Sequence, residues 1–286
     1  MSATSAVRSQ PVVPGRLRLS RVAVRRYAAH GRFRPDLVGF LADVAELHSV
    51  PELTPQVADG PRTTFAEMTE EFVTESWVGD EPYDLALVAH AWADSEPGWP
   101  GCVLTTRLPG SPPACGISDQ GVTSVFAALQ VAAAYAAGGV ADRVAVVALD
   151  QGIHLADRST PASLVPTADG TAAIVLAPDG ELGDVAAYHA TGVFPASVAP
   201  VVDDLLRTAE PAVLVVGATL AQYWTPQAGL PVVVAPADLP CVGPWVSLAE
   251  FVDAGRSGRV GIIDYEPGTQ EIGLVTVDVP ESRSRS

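Results

Sequence analysis

Asp84–Trp92 reads DLALVAHAW, an apolar run of strand length with no polar face. A strand of this kind needs cover on both sides, so it belongs inside a layered α/β structure rather than in a half-solvated sheet. Two more stretches fit that frame. Arg143–Leu149 (RVAVVAL) reads as a second apolar strand. Gly121–Ala137 reads as an Ala-rich helix stopped by Gly138-Gly139. Around them the spacing predicts strands at Arg16–Arg25, Ala114–Ser118, Ala212–Val216, Val232–Ala235, Arg259–Tyr265 and Ile272–Val279. Helices are expected at Pro35–His48, after Pro100, and at Ala196–Thr208, Thr219–Trp224 and Val246–Ala254. Thr64-x-x-Glu67 is a capping box that opens a helix over Phe65–Trp77. Thr171–Ala177 and Val185–Thr191 are expected to form a hairpin around Pro178-Asp179-Gly180.

The chain also repeats itself. Ala137-Gly138-Gly139 followed by RVAVVALD (143–150) matches Ala254-Gly255-Arg256 followed by RVGIIDYE (259–266), and each precedes a further strand. Asp84–Trp92 likewise matches Ala212–Leu220 (AVLVVGATL). The pattern predicts two duplicated α/β halves, 16–177 and a shortened 178–279, between a flexible 1–15 and a disordered tail at 280–286.

Composition removes several function classes. The 17 basic residues are all Arg, so no Schiff-base or P-loop lysine exists, and the chain has no Asn. A formal charge of −16 argues against nucleic acid and anionic membrane as partners. No stretch reaches the ~20 apolar residues of a membrane span, and the start lacks a secretory h-region. Three widely spaced cysteines, Cys102, Cys115 and Cys241, suggest neither a disulfide framework nor a zinc site. The expected location is the cytoplasm, with no metal and no cofactor.

Four segments resemble the thiolase fold, in particular the ketoacyl synthase III branch of condensing enzymes. They are Tyr83–Ala91, Pro113–Asp150, Asp169–Leu176 (DGTAAIVL, similar to that family's GDGAGAAVL) and Val246–Val279. The resemblance implies two α/β halves layered α/β/α/β/α. It also implies where catalytic residues would stand. The family's nucleophilic Cys would fall at Gly121 or Val122, and its His near Gly217. Its Asn would fall within Leu239–Pro244, where this chain has none. Without thiolate, imidazole and amide, no group remains to attack a thioester or hold its oxyanion.

The remaining candidates read as follows. Cys115 lies ahead of the nucleophile position and reads as a small core hydrophobe. Cys102 and Cys241 read as packing residues. A catalytic alternative pairs Cys115 with His90 or His154. Gln120 stands one or two positions before the slot where dead polyketide partner subunits carry Gln. Trp99-Pro100 matches the aromatic that, in the family, crosses the dimer interface into the partner's acyl pocket.

The expectation is therefore a non-catalytic subunit paired with an active Cys-His-Asn homologue. Acyl-CoA or acyl carrier protein would be handled by that partner. At −16 overall the chain should repel an acidic carrier, unless a local Arg25-Arg26 or Arg32/Arg34 patch receives it. Two other readings stay open, an autonomous acyltransferase using Cys115 and an acyl-binding scaffold homodimer. By the family's pattern the interface strand is expected at Arg143–Leu149.

Overall fold

The computed structural model describes residues 17–28, 31–32, 38–47, 61–76, 79–96, 98–153, 160–226 and 229–281. In chain order the first half holds β1 (Arg18–Tyr27), β2 (Gly31–Arg32), α1 (Val38–Leu47), β3 (Pro61–Arg62), α2 (Phe65–Glu75), β4 (Leu85–His90), α3 (Pro100–Arg107), β5 (Ala114–Ile117), α4 (Ser124–Ala137), β6 (Val144–Asp150) and β7 (Asp169–Ala177). The second holds β8 (Gly183–Ala190), α5 (Val198–Ala209), β9 (Val213–Val216), β10 (Val232–Val234), α6 (Gly243–Asp253), β11 (Gly258–Glu266) and β12 (Glu271–Val279).

Local signals account for several boundaries. The α2 capping box is complete: the Thr64 amide donates to Glu67 at 2.8 Å, and the Glu67 amide donates to the Thr64 hydroxyl at 3.1 Å. Helix α4 ends where Gly139 turns left-handed at φ 67°, a conformation that costs glycine little.

The sheet runs β10-β9-β11-β12-β8-β1-β7-β6-β4-β5. Read outward from the middle, the two sides are the same: β1-β7-β6-β4-β5 and β8-β12-β11-β9-β10. The pairing signs agree too. β4 lies parallel to β5 and β6, as β9 lies parallel to β10 and β11; β6–β7 and β11–β12 are antiparallel. The sequence repeat is thus a structural one, related by a pseudo-two-fold axis. Among the described residues, strand pairing joins the sides at two residue pairs, Arg18↔Asp184 and Leu19↔Gly183.

Side-chain alternation sorts the layers. Leu85, Leu87 and Ala89 of β4, Val144, Val146 and Ala148 of β6, and Val260 and Ile262 of β11 point into one central core around α4 and α6. Ala86 and Val88 point the other way, against Phe65, Met68 and Leu104 of α2 and α3. Ile263 and Tyr265 point outward against α5. The result is the expected α/β/α/β/α layering, with α4 and α6 sandwiched between the two halves of the sheet.

Three expectations fail. β7 and β8 do not form a hairpin. β1 enters antiparallel beside β7 over its whole length, and β8 pairs instead with β12. Only a segment distant in sequence separates them, which local turn chemistry cannot signal. Leu220–Gln222 is a single 3₁₀ turn, not a helix over Thr219–Trp224. Strand β6 is not an edge: β4 and β7 flank it and every residue of it is buried. The open edge of the first half is β5.

Candidate functional site

The single turn Gly121–Thr123 leads into α4, and its Val122 amide meets a side chain of the second half. Here the resemblance places the nucleophile. Gly121 has φ 52°, and a Cβ on it would stand 1.8 Å from Oε2 of Glu266. The same Oε2 accepts from the Val122 amide at 3.0 Å, while Oε1 accepts from the Gly268 amide at 2.9 Å. Val122 itself is buried. The place that the resemblance gives the nucleophile is therefore filled by a carboxylate from the last residue of β11.

The His position repeats the arrangement. A Cβ on Gly217, just after β9, would stand 1.9 Å from Oδ2 of Asp264. Asp264 Oδ1 accepts from the Leu220 amide at 2.9 Å and the Tyr265 amide at 2.8 Å. Asp264 and Glu266 share the inward face of β11, continuing the row of Val260 and Ile262. Two carboxylates of one strand thus occupy both places where the family's side chains would act.

The pseudo-two-fold axis supplies a third. Asp150 ends β6 as Glu266 ends β11. Its Oδ2 accepts from the Cys241 and Val242 amides at 2.9 and 2.8 Å, directly ahead of α6. Leu239–Pro244, the expected Asn segment, forms this helix start. Each half thus ends its central strand in a carboxylate that caps the buried helix of the other half. Burial pushes the Asp150 and Asp264 carboxyls up to about 7, and raises Glu266.

Cys241 precedes α6 much as Gly121 precedes α4. Burial, with Asp150 and Asp264 nearby, holds its thiol well above the ordinary range. It is a packing residue, as expected. Cys115 and Cys102 depart from expectation, since both are exposed. Cys115 lies on the open edge strand beside Leu87, on the α4 face with Ile117. His90 continues the opposite face and meets Phe65, ring centroids 5.2 Å apart. Sheet parity therefore separates Cys115 from His90, so the pair makes no catalytic dyad. His90 Nδ1 contacts the Trp92 carbonyl at 2.8 Å, and burial lowers its pKa. His154 lies outside the described residues.

Gln120 lines an open groove of 640 Å³ between β5 and α4, with Gly116, Ile117, Gln130, Val131 and Ala134. Trp99, 46% exposed, folds its ring over Gly101 and brings its indole nitrogen beside Gly116 of β5. It packs on its own helix and also borders the open edge. The Arg25-Arg26 patch is neutralised: Arg25 pairs with Glu71 and Glu75, and Arg26 with Asp238 at 2.5 Å. Arg32 sits on β2, and Arg34 lies outside the described residues. Among the described residues no cluster of ligands suits a metal ion, and no helix is long and apolar enough to cross a membrane.

Solved structures share this arrangement from end to end. A 3-oxoacyl-(acyl-carrier protein) synthase from Burkholderia xenovorans LB400 superposes with a TM-score of 0.61 at 16% identity, covering 97% of each chain. The chain has the thiolase-like fold. The acyltransferase ChlB3 matches at 0.59 and 17% identity over 93% of this chain and 98% of its own. AbyA1, a tetronic acid condensing enzyme, matches at 0.58 and 16% over 91% and 99%. No protein-family model matches the sequence, and no curated protein does. The condensing-enzyme resemblance read over 16–279 thus holds at the level of the fold.

Glu266, Asp264 and Asp150 are the site residues that sequence reasoning passed over. The signal was faint but present: each is a carboxylate inside or ending an apolar strand, where burial demands partners.

Proposed function

We propose that this chain is a non-catalytic ketosynthase III-like subunit that pairs with an active Cys-His-Asn homologue, stabilises it and shapes its acyl pocket. The step would be a condensation or acyl transfer in specialised metabolism of a polyketide, fatty-acid or quinolone-like kind. One observation carries the loss of chemistry. Gly121 and Gly217 lack side chains, and the space those side chains would need holds Glu266 and Asp264. A carboxylate on the start of α4 also occupies the helix end that would otherwise lower a thiol's pKa or hold an oxyanion.

A partner surface is supported by charge distribution. From Gly98 to Ala141 the only charged residues are Arg107 and Asp119, in a chain of net charge −16. This stretch holds α3, the open strand β5 and α4, and it exposes Trp99, Tyr135 and Val140. Charge depletion with exposed aromatics marks the centre of protein interfaces. An unpaired edge strand in the same surface offers backbone pairing. The interface strand of this reading is β5, not β6.

Intact-mass measurement after incubation with an acyl-CoA tests the chemistry. The expected result is no adduct. A covalent acyl group lost in Cys115→Ser would replace this reading with the autonomous acyltransferase. Coexpression with a neighbouring ketosynthase-like protein tests the pairing, and a stable homodimer that ignores the homologue would favour the scaffold.

A further inference from the structure

Two buried carboxyls cross from one half to the other, a third lies beside one of them, and among the described residues no cation answers them. Asp150 reaches the start of α6, Glu266 the start of α4, and Asp264 the turn at Leu220. The titratable groups that face them are acidic or neutral. Asp150 meets Asp238 and Cys241; Asp264 meets Cys241 and Glu266; Glu266 meets Glu271, whose own contact is His189 at 3.7 Å. Arg26 engages Asp238 at the surface. Among the described residues, Asp150 Oδ1 and Asp264 Oδ2 are buried with no hydrogen-bond partner. Both side chains have one oxygen bound by two amides and one oxygen facing nothing. That is the environment of a carboxyl that keeps its proton.

We propose that Asp150 and Glu266, with Asp264 beside Glu266 on the same strand, form a proton-operated latch between the two halves of the fold. Protonated, they present a neutral seam whose amide hydrogen bonds hold the starts of α4 and α6 across the pseudo-two-fold axis. Deprotonated, Asp264 and Glu266 repel one another on one strand, and buried charge loosens the seam. The inference concerns the chain by itself and stands whether or not it has a partner.

The direction follows from burial. Asp150 and Asp264 have an ordinary value of 3.8 and are pushed up to about 7. Below that ordinary value folded and unfolded chains are both protonated, and the stabilisation is fully present. Through the window up to about 7 the folded chain keeps protons that the unfolded chain releases. Stability therefore falls as pH rises, with the folded-to-unfolded ratio dropping about tenfold per pH unit for each carboxyl.

Urea unfolding of the full chain between about pH 5 and 8 tests the latch. The expected result is a steep loss of stability with rising pH, reduced by one proton's worth of slope in Asp150→Asn and again in Asp264→Asn. Asp179→Asn, at a solvent-facing carboxylate, should leave the slope unchanged and so separates the latch from general charge repulsion. Should the Asn variants fail to fold, infrared spectroscopy of the wild-type chain decides. A protonated-carboxyl band must persist at pH 6, fall through about 7 and be lost at alkaline pH. Absence of that band, or equal slopes in all folded variants, overturns the latch.

Discussion

Gly121→Ala should couple to Glu266 with a measurable energy. The added Cβ would stand 1.8 Å from Glu266 Oε2, so the carboxylate has to leave. At alkaline pH, where the carboxylate is charged, its departure breaks the Val122 amide bond, a charge-assisted contact of about 1.5–3 kcal/mol. Holding an alanine at φ 52° adds roughly 1–2 kcal/mol. Gly121→Ala should thus destabilise by about 2.5–5 kcal/mol. Glu266→Ala removes the same bond without the clash. In the double variant the bond is lost once, so the total should fall short of the sum by about 1.5–3 kcal/mol. Gly192→Ala is the control. Its φ is 68° with nothing within 4 Å of the new Cβ, so it reports the backbone strain alone. Urea unfolding of the four-member cycle, at constant m-value, measures the coupling. Additivity to within about 0.5 kcal/mol would refute the claim that Glu266 fills the nucleophile position.

The thiols should react in two classes: Cys102 and Cys115 with a maleimide in the native chain, Cys241 only after denaturation, as peptide mass mapping would show. Equal labelling of all three would contradict the packing around α6. Trp99→Ala should leave folding intact, since the ring is half exposed, yet weaken assembly with a ketosynthase homologue and shift the complex toward longer acyl chains. An unchanged affinity and length profile in donor-competition assays would confine Trp99 to packing on Gly101.

Much of the fold was legible. Apolar runs without a polar face, Asp84–Trp92 and Arg143–Leu149, announced strands covered on both sides, and both lie in the sheet interior. The repeat of 143–150 in 259–266 announced the duplication, because equivalent strands need equivalent core faces. The site was legible only in part. Gly121 and Gly217 stood out as places without chemistry, but what fills them lies more than forty residues away in sequence.

The sequence by itself determined most of the element types, the twofold repeat and the absence of lysine and asparagine, and it put no nucleophile at the helix start where the resemblance expects one. These depend on composition and local periodicity. Tertiary structure alone decided that β1 separates β7 from β8, that β5 rather than β6 is the open edge, and that Cys115 and His90 lie on opposite faces. It alone brought Glu266 to Gly121, Asp264 to Gly217 and Asp150 to the start of α6. Each of these is a long-range pairing, set by which faces must be buried together, and no local pattern records which distant strand supplies the neighbour.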